Sequence, residues 1–159
     1  MDAILRMLEN DAKLTAEQIA GCLGLAKEDV ESAIRKYEDE GIILKYTALV
    51  DREKIDGEAV KALIELKLTP QGGDGYDRVA KRIYQYDEVE SLYLMTGTYD
   101  LLVTLSARTM KEAAHFVYKH LATIEGVSAT ATHFIMKKYK EMNCVFDDKH
   151  EQEERMKFI

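Results

Sequence analysis

The six residues MTGTYD, positions 95–100, combine a glycine, two threonines, a tyrosine and a carboxylate in one short stretch. Gly97 lies between two apolar runs and can supply the φ > 0 that a tight hairpin turn needs. A glycine turn leaves backbone N–H groups open, and such groups can receive a carboxylate. Asp100 could hold an ammonium group, and Tyr99 could wall the pocket. Plainer readings stand beside these: Gly97 as turn former, Tyr99 as strand packing, Asp100 as a turn cap. Thr130 and Thr132, two positions apart, are candidates for a second wall, although alternating threonines also suit any strand.

A second constellation lies near the N-terminus. Ala20, Gly24 and Val30 fall at i, i+4 and i+10, the spacing of a helix-turn-helix, whose second helix enters the major groove of DNA. The groups that would meet DNA are Lys27, Ser32, Arg35, Lys36 and Lys45. Arg35 and Lys36 could equally pair with Asp39 and Glu40, four residues on. Charge opposes the DNA reading: residues 1–57 hold 8 Lys and Arg against 13 Asp and Glu, a balance of −5, and the whole chain carries −7. Phosphate contacts draw their affinity from cations. Two facts soften the objection. Glu28 and Asp29 fall in the first turn of the helix, where the macrodipole favours negative charge. Carboxylates can also accept from cytosine amino groups.

The elements that must position these residues follow from periodicity. Ala3, Ile4, Met7 and Leu8 stripe a first helix. Thr15 with Gln18 forms a capping box, opening a helix with Ile19, Ala20 and Leu23 inward, and Gly24 stops it. Val30, Ala33, Ile34 and Tyr37 share one side of a third helix, closed by Gly41. Residues 42–50 read as extended, the short wing of a winged helix and then a linker strand. Charged residues 51–58 mark a boundary. Beyond it come a strand over 60–68, a turn-rich loop at 70–75, a helix over 76–86 and a hairpin with strands over 89–95 and 99–106. A helix over 109–124 follows, striped by Met110, Ala114, Val117, Leu121 and Ile124, and then a long final strand over 128–140. The order βαββαβ is the ferredoxin-like arrangement. The chain therefore reads as α+β: a winged helix-turn-helix at 1–50, a linker at 51–58, a ferredoxin-like unit at 59–145 and a charged tail at 146–159. Helices on one sheet face leave the other to pack on a second copy.

Several chemistries lack support in the sequence. Cys22 and Cys144 are isolated and read as free thiols in a reducing compartment. His115 and His120 are five apart on a helix, and His133 and His150 have no ligand-spaced partner, so no metal is expected. Gly72, Gly73 and Gly75 lack a phosphate-loop context, and no catalytic triad or nucleophile turn is visible. The expectation is no enzyme, no cofactor and no membrane span, and a cytoplasmic chain without a leader peptide.

The segment GLA…AIRKYEDEGIILKYTALVD, the turn MTGTYD with its G-x-Y-D pattern, and the spacing from that turn to the last strand together resemble the Lrp/AsnC family, the feast/famine transcription regulators. The resemblance covers residues 1–145. It implies a DNA-binding regulator that responds to an amino acid or related small molecule. It also implies a homodimer joined by paired linker strands and sensor sheets, often assembled into octamers. The effector would bind near the hairpin turn at a contact between dimers, with Thr96, Gly97, Thr98, Tyr99 and Asp100 forming one wall. Where the family carries arginines in its third helix, the matching positions here are Glu31, Ser32 and Ala33. The alternative is a small-molecule sensor with weak DNA binding that acts by co-assembling with related regulators.

Overall fold

A computed structural model describes residues 2–55, 60–69 and 75–146. The expectations for the loop at 70–74, the last part of the linker and the tail from 147 onward lie outside the described residues. The chain divides into two compact units, Met1–Val50 and Asp51–Ile159.

In the first unit three helices enclose a small core. Helix α1 (Ala3–Asn10) begins where the Asp2 side chain accepts from the Ile4 N–H, and it buries Ile4 and Leu8. Helix α2 (Ala16–Leu23) opens on a reciprocal capping box between Thr15 and Gln18 and buries Ile19 and Ala20. Gly24, at φ +68°, ends it in the left-handed conformation that glycine adopts at no steric cost. Helix α3 (Lys27–Asp39) seats Val30 fully in the core, with Ala33 and Ile34 packed beside it. Gly41, at φ +66°, follows its last turn.

Residues 42–50 differ from the expected wing. Ile42 and Ile43 bend back so that both N–H groups donate to the Tyr37 carbonyl, at 2.8 and 3.0 Å, and no residue of 42–50 joins a ladder among the described residues. A strand exists only where a neighbouring strand takes its N–H and C=O groups, and among the described residues no strand pairs with this segment. Leu44 is accordingly 88% exposed.

The second unit is an antiparallel sheet with helices on one face. Strands β1 (Val60–Leu68), β2 (Val89–Leu94), β3 (Leu101–Ala107) and β4 (Val127–Phe134) lie in the order β2-β3-β1-β4. Helices α4 (Gly75–Ile83) and α5 (Met110–Phe116) complete the βαββαβ order. Strict alternation buries Ala62, Ile64, Leu66 and Leu68 on β1, and Leu101, Val103 and Leu105 on β3, against Val79 and Ile83 of α4 and Ala113 and Phe116 of α5. Each large apolar side chain removed from water this way contributes roughly 1.5–3 kcal/mol.

Two expectations shift here. The stripe of α5 runs through Ala113, Phe116, Val117, Leu121 and Ile124, whereas Met110 and Ala114 face solvent. Ala113 is small enough to let the helix approach the sheet. A π-helical turn over Val117–Leu121 extends α5, closed by the Ala122 N–H on the Val117 carbonyl at 2.9 Å. Within it His120 packs on the rings of Tyr86 and Phe116, at 4.9 and 5.1 Å between centroids.

The last strand is also shorter than expected. It stops at Phe134, which pairs with Ala62, and one further bond follows, the Ile135 N–H to the Lys61 carbonyl. The chain then forms a small hairpin, β5 (Lys140–Glu141) with β6 (Cys144–Val145), turned by Met142 and Asn143 at positive φ.

Candidate functional site

The 95–100 turn is closed by the Met95 N–H on the Asp100 carbonyl at 2.8 Å. Gly97 sits at φ +133°, and a Cβ built there would meet nothing within 4 Å. Glycine is therefore required by the backbone conformation and not by space. Thr96, Gly97 and Thr98 are exposed, whereas Tyr99 and Asp100 are half-buried. Asp100 fastens the turn to the end of β1. Its own N–H donates to the Leu66 carbonyl at 2.9 Å, and its Oδ2 accepts from the Leu68 N–H at 2.8 Å and lies 3.2 Å from Lys67 Nζ. The Leu68 N–H, with Lys67 assisting against partial burial, holds the Asp100 carboxyl below the usual carboxylate range. The turn cap reading is thus realised, with Oδ1 left a single long contact, 3.4 Å to Lys67 Nζ.

Thr130 and Thr132 stand opposite Leu66 and Ile64, on the helix-covered side of β4. Lys67, the partner of Asp100, alternates to the other side of β1. Within one chain the two threonines therefore form no wall with the Asp100 carboxylate.

On α3 the named groups Lys27, Ser32, Arg35 and Lys36 are all exposed, as is Lys45 in the segment that follows the helix. Two of the cations are spoken for. Lys27 Nζ lies 3.4 Å from Glu31 and Lys36 Nζ lies 3.8 Å from Glu40, each at i, i+4. The second of these pairs is the one the spacing suggested; the first was not anticipated. The exit from α3 is pinned by the Tyr46 hydroxyl donating to Glu38 at 2.8 Å. One residue before Glu38, the Tyr37 hydroxyl donates to Asp2, which lowers the Asp2 carboxyl below its ordinary value.

Residues 61–145 match the Lrp/AsnC ligand binding domain family, which is more than half of the chain. The chain belongs to the Lrp/AsnC family. It is 44% identical over 145 residues to the uncharacterized HTH-type transcriptional regulator YugG of Bacillus subtilis (strain 168), covering 91% of this chain and 87% of that protein. It is 32% identical over 138 residues to the HTH-type transcriptional regulator FL11 of Pyrococcus horikoshii, covering 87% of this chain and 88% of that one. Among solved structures it is similar to the transcriptional regulator NMB0573 of Neisseria meningitidis in complex with L-Met. That likeness has a TM-score of 0.73 at 25% identity and covers 89% of this chain and 93% of that one. These proteins are HTH-type regulators, not enzymes, and the Lrp/AsnC chain described here is a regulator with a ligand-binding domain.

Some polar contacts in this Lrp/AsnC chain could not be foreseen from local pattern. Lys67 as the partner of Asp100 depends on a pairing across 33 residues. Lys61 joins Glu90 at 2.8 Å to Glu141 at 3.5 Å. Burial alone pulls the Lys61 ammonium down, but the two carboxylates more than offset it and raise the pKa. Among the described residues no group of three or more His, Cys, Asp or Glu could hold a metal, and no helix is long and apolar enough to cross a membrane.

Proposed function

We propose that this chain is a sequence-specific DNA-binding regulator, cytoplasmic and homo-oligomeric, whose C-terminal unit binds an amino acid at the 95–100 turn. Residues 1–50 act as the reader and 59–145 as the sensor, working as a dimer that can associate further to an octamer. The observation that carries this reading is the turn itself. Its tip, Thr96 to Thr98, is exposed, while Asp100 locks its base to β1. Preorganised N–H groups at such a tip suit an α-carboxylate, Tyr99 walls one side, and Asp100 Oδ1 can accept from an α-ammonium. The L-Met complex of the Neisseria relative supports an amino acid as the effector class. Effector control of DNA occupancy then requires that the amino acid bind one assembly state better than another. Thermal melts with each of the twenty amino acids test the site, because a ligand of the folded state raises Tm by mass action. At least one should do so; a set of unchanged melts would remove the pocket.

A second reading, a sensor with little DNA affinity that co-assembles with related regulators, is favoured by the ion pairs that occupy Lys27 and Lys36. Fluorescence polarisation on the upstream region of its own gene, across a salt series, separates the two. Direct reading by Lys27, Ser32, Arg35, Lys36 and Lys45 gives affinity that falls steeply with salt. No binding at micromolar protein at any salt selects the co-assembling sensor.

A further inference from the structure

Lys67 lies near the end of β1, beside the base of the 95–100 turn. Its Nζ is 3.2 Å from Asp100 Oδ2 and 3.4 Å from Oδ1. Asp100 does not depend on that cation for its place. Its Oδ2 already accepts from the Leu68 N–H at 2.8 Å, and its own N–H donates to the Leu66 carbonyl at 2.9 Å. Nor does Asp100 exhaust Lys67: an ammonium carries three N–H donors, and the two oxygens of one carboxylate leave one of them over. The Lys67 side chain is 47% exposed against 17% for Asp100, so the remaining donor is open to solvent. The backbone that carries it is fixed, because the Ser128 hydroxyl donates to the Lys67 carbonyl at 3.0 Å.

The neighbouring groups leave this ammonium to the turn. Opposite Lys67 on β4 stands Ala129, which brings no charge. Glu65, the next residue on the same face of β1, lies 3.4 Å from His133 Nε2, and His133 stands opposite Leu63, farther from the turn. At the base of an exposed glycine turn, an ammonium and a carboxylate therefore stand side by side, each with bonding capacity left.

Such a pair is complementary to a molecule that carries the same two charges close together. An α-ammonium on Asp100 Oδ1 and an α-carboxylate on Lys67 Nζ close a ring of four charges that alternate in sign. A ligand with one charge gains one contact and meets one like charge. An amine brings a second cation beside Lys67, and a keto acid brings a second anion beside Asp100.

We propose, resting on the reading of the 95–100 turn as the effector site, that Lys67 determines the specificity of that site. It receives the α-carboxylate, so that the site selects zwitterionic α-amino acids over the amine or keto acid of the same side chain. One carboxylate oxygen takes Lys67, which leaves the other for the N–H groups of the turn.

Calorimetric titration of the full chain tests this. The probes are L-methionine, the amino acid in the Neisseria complex, its decarboxylated amine and its α-keto acid; another of the twenty amino acids, with its own amine and keto acid, replaces it if it raises Tm more. The parent chain should bind the amino acid at least about tenfold more tightly than the amine. In Lys67→Gln that preference should fall below about threefold, since the carboxylate loses its contact and the amine loses its repulsion. Lys67→Arg keeps the cation and should keep the preference. The preference over the keto acid should hold in all three chains, because Asp100 supplies it. Each ratio compares two ligands on one chain, so a change in stability cancels. A preference over the amine that is equal in Lys67→Gln and the parent overturns the proposal and leaves the site standing. So does a parent chain that binds the amine as well as the amino acid. A parent chain that binds none of the twenty removes the site and the proposal together.

Discussion

The two units treat charge in opposite ways. In the sensor half, the Asp100 carboxylate is 17% exposed, accepts from a backbone N–H and pairs with Lys67. On the reader helix, Lys27 and Glu31 are about half exposed at 52% and 49%, and their pairing spans one helical turn on the surface. The first arrangement fixes a backbone geometry; the second merely occupies two side chains that solvent can claim back. The cores differ in the same sense. Among the described residues, fourteen buried side chains form the core of the second unit and five that of the first. The second unit is the one whose charged contacts fix backbone geometry, while the α3 ion pairs of the first lie on an exposed surface.

The largest effect should come from the sheet. Ile64, fully buried in the middle of β1, should cost about 2–5 kcal/mol as Ile64→Ala, through lost transfer energy and the cavity left behind. Chemical denaturation followed by the second unit's tyrosines measures it. A cost under 1 kcal/mol would mean that the core is looser than its burial implies. Next comes the turn. Gly97→Ala meets no clash, so its cost is backbone strain alone, about 1–3 kcal/mol for a residue forced to that φ. The same denaturation experiment reads it, and effector affinity should fall with it. A neutral Gly97→Ala would show that the turn relaxes, and the contrast with the reader would weaken.

A subtler test addresses the carboxylate. The folded Asp100 pKa lies below its ordinary value, so its contribution is fully present above the unfolded pKa, near 4, and is lost as pH falls through the lower folded value. Asp100→Asn keeps an acceptor for the Leu68 N–H but removes the charge. Its Tm should therefore drop below that of the parent chain at neutral pH and converge with it as pH falls below the lowered folded-state value. Curves that stay parallel across that range would show that shape, not charge, holds the turn.

Much of this was legible in the sequence because it rests on local rules. The Thr15–Gln18 capping box, the Gly24 and Gly41 helix ends and the β1 alternation each follow from residues within a few positions of one another. What could not be read depends on partners far along the chain. The β propensity of the final strand continues past Phe134, but its pairing with β1 ends at Ala62, and that register is invisible to local pattern. The wing was expected from composition, yet residues 42–50 have no pairing partner among the described residues. On α5 the stripe drawn through Met110 and Ala114 is one step out of phase in the first turns, where Ala113 and Phe116 pack on the sheet instead. At the candidate site, Gly97 was readable as a turn former, but the grip of Asp100 on Leu68 needs the β1–β3 register. The placement of Thr130 and Thr132 away from that carboxylate needs the β1–β4 register as well.

The smallest expected effect on stability is the most telling for the reader. Glu31→Gln removes the partner of Lys27. An exposed i, i+4 pair contributes only a few tenths of a kcal/mol, and less in this order, with the lysine on the N-terminal side. Folding should hardly change. DNA affinity at low salt should rise, because the Lys27 ammonium no longer has a carboxylate competing with phosphate for it. The slope of log affinity against log salt should steepen by about one counterion. Polarisation with the same DNA fragment for both chains, from low to physiological salt, gives the two slopes directly. If the slopes coincide, Lys27 does not face DNA. The acidic charge of the reader is then a property of its solvated side, and the burden of DNA contact falls on Arg35, Lys36 and Lys45.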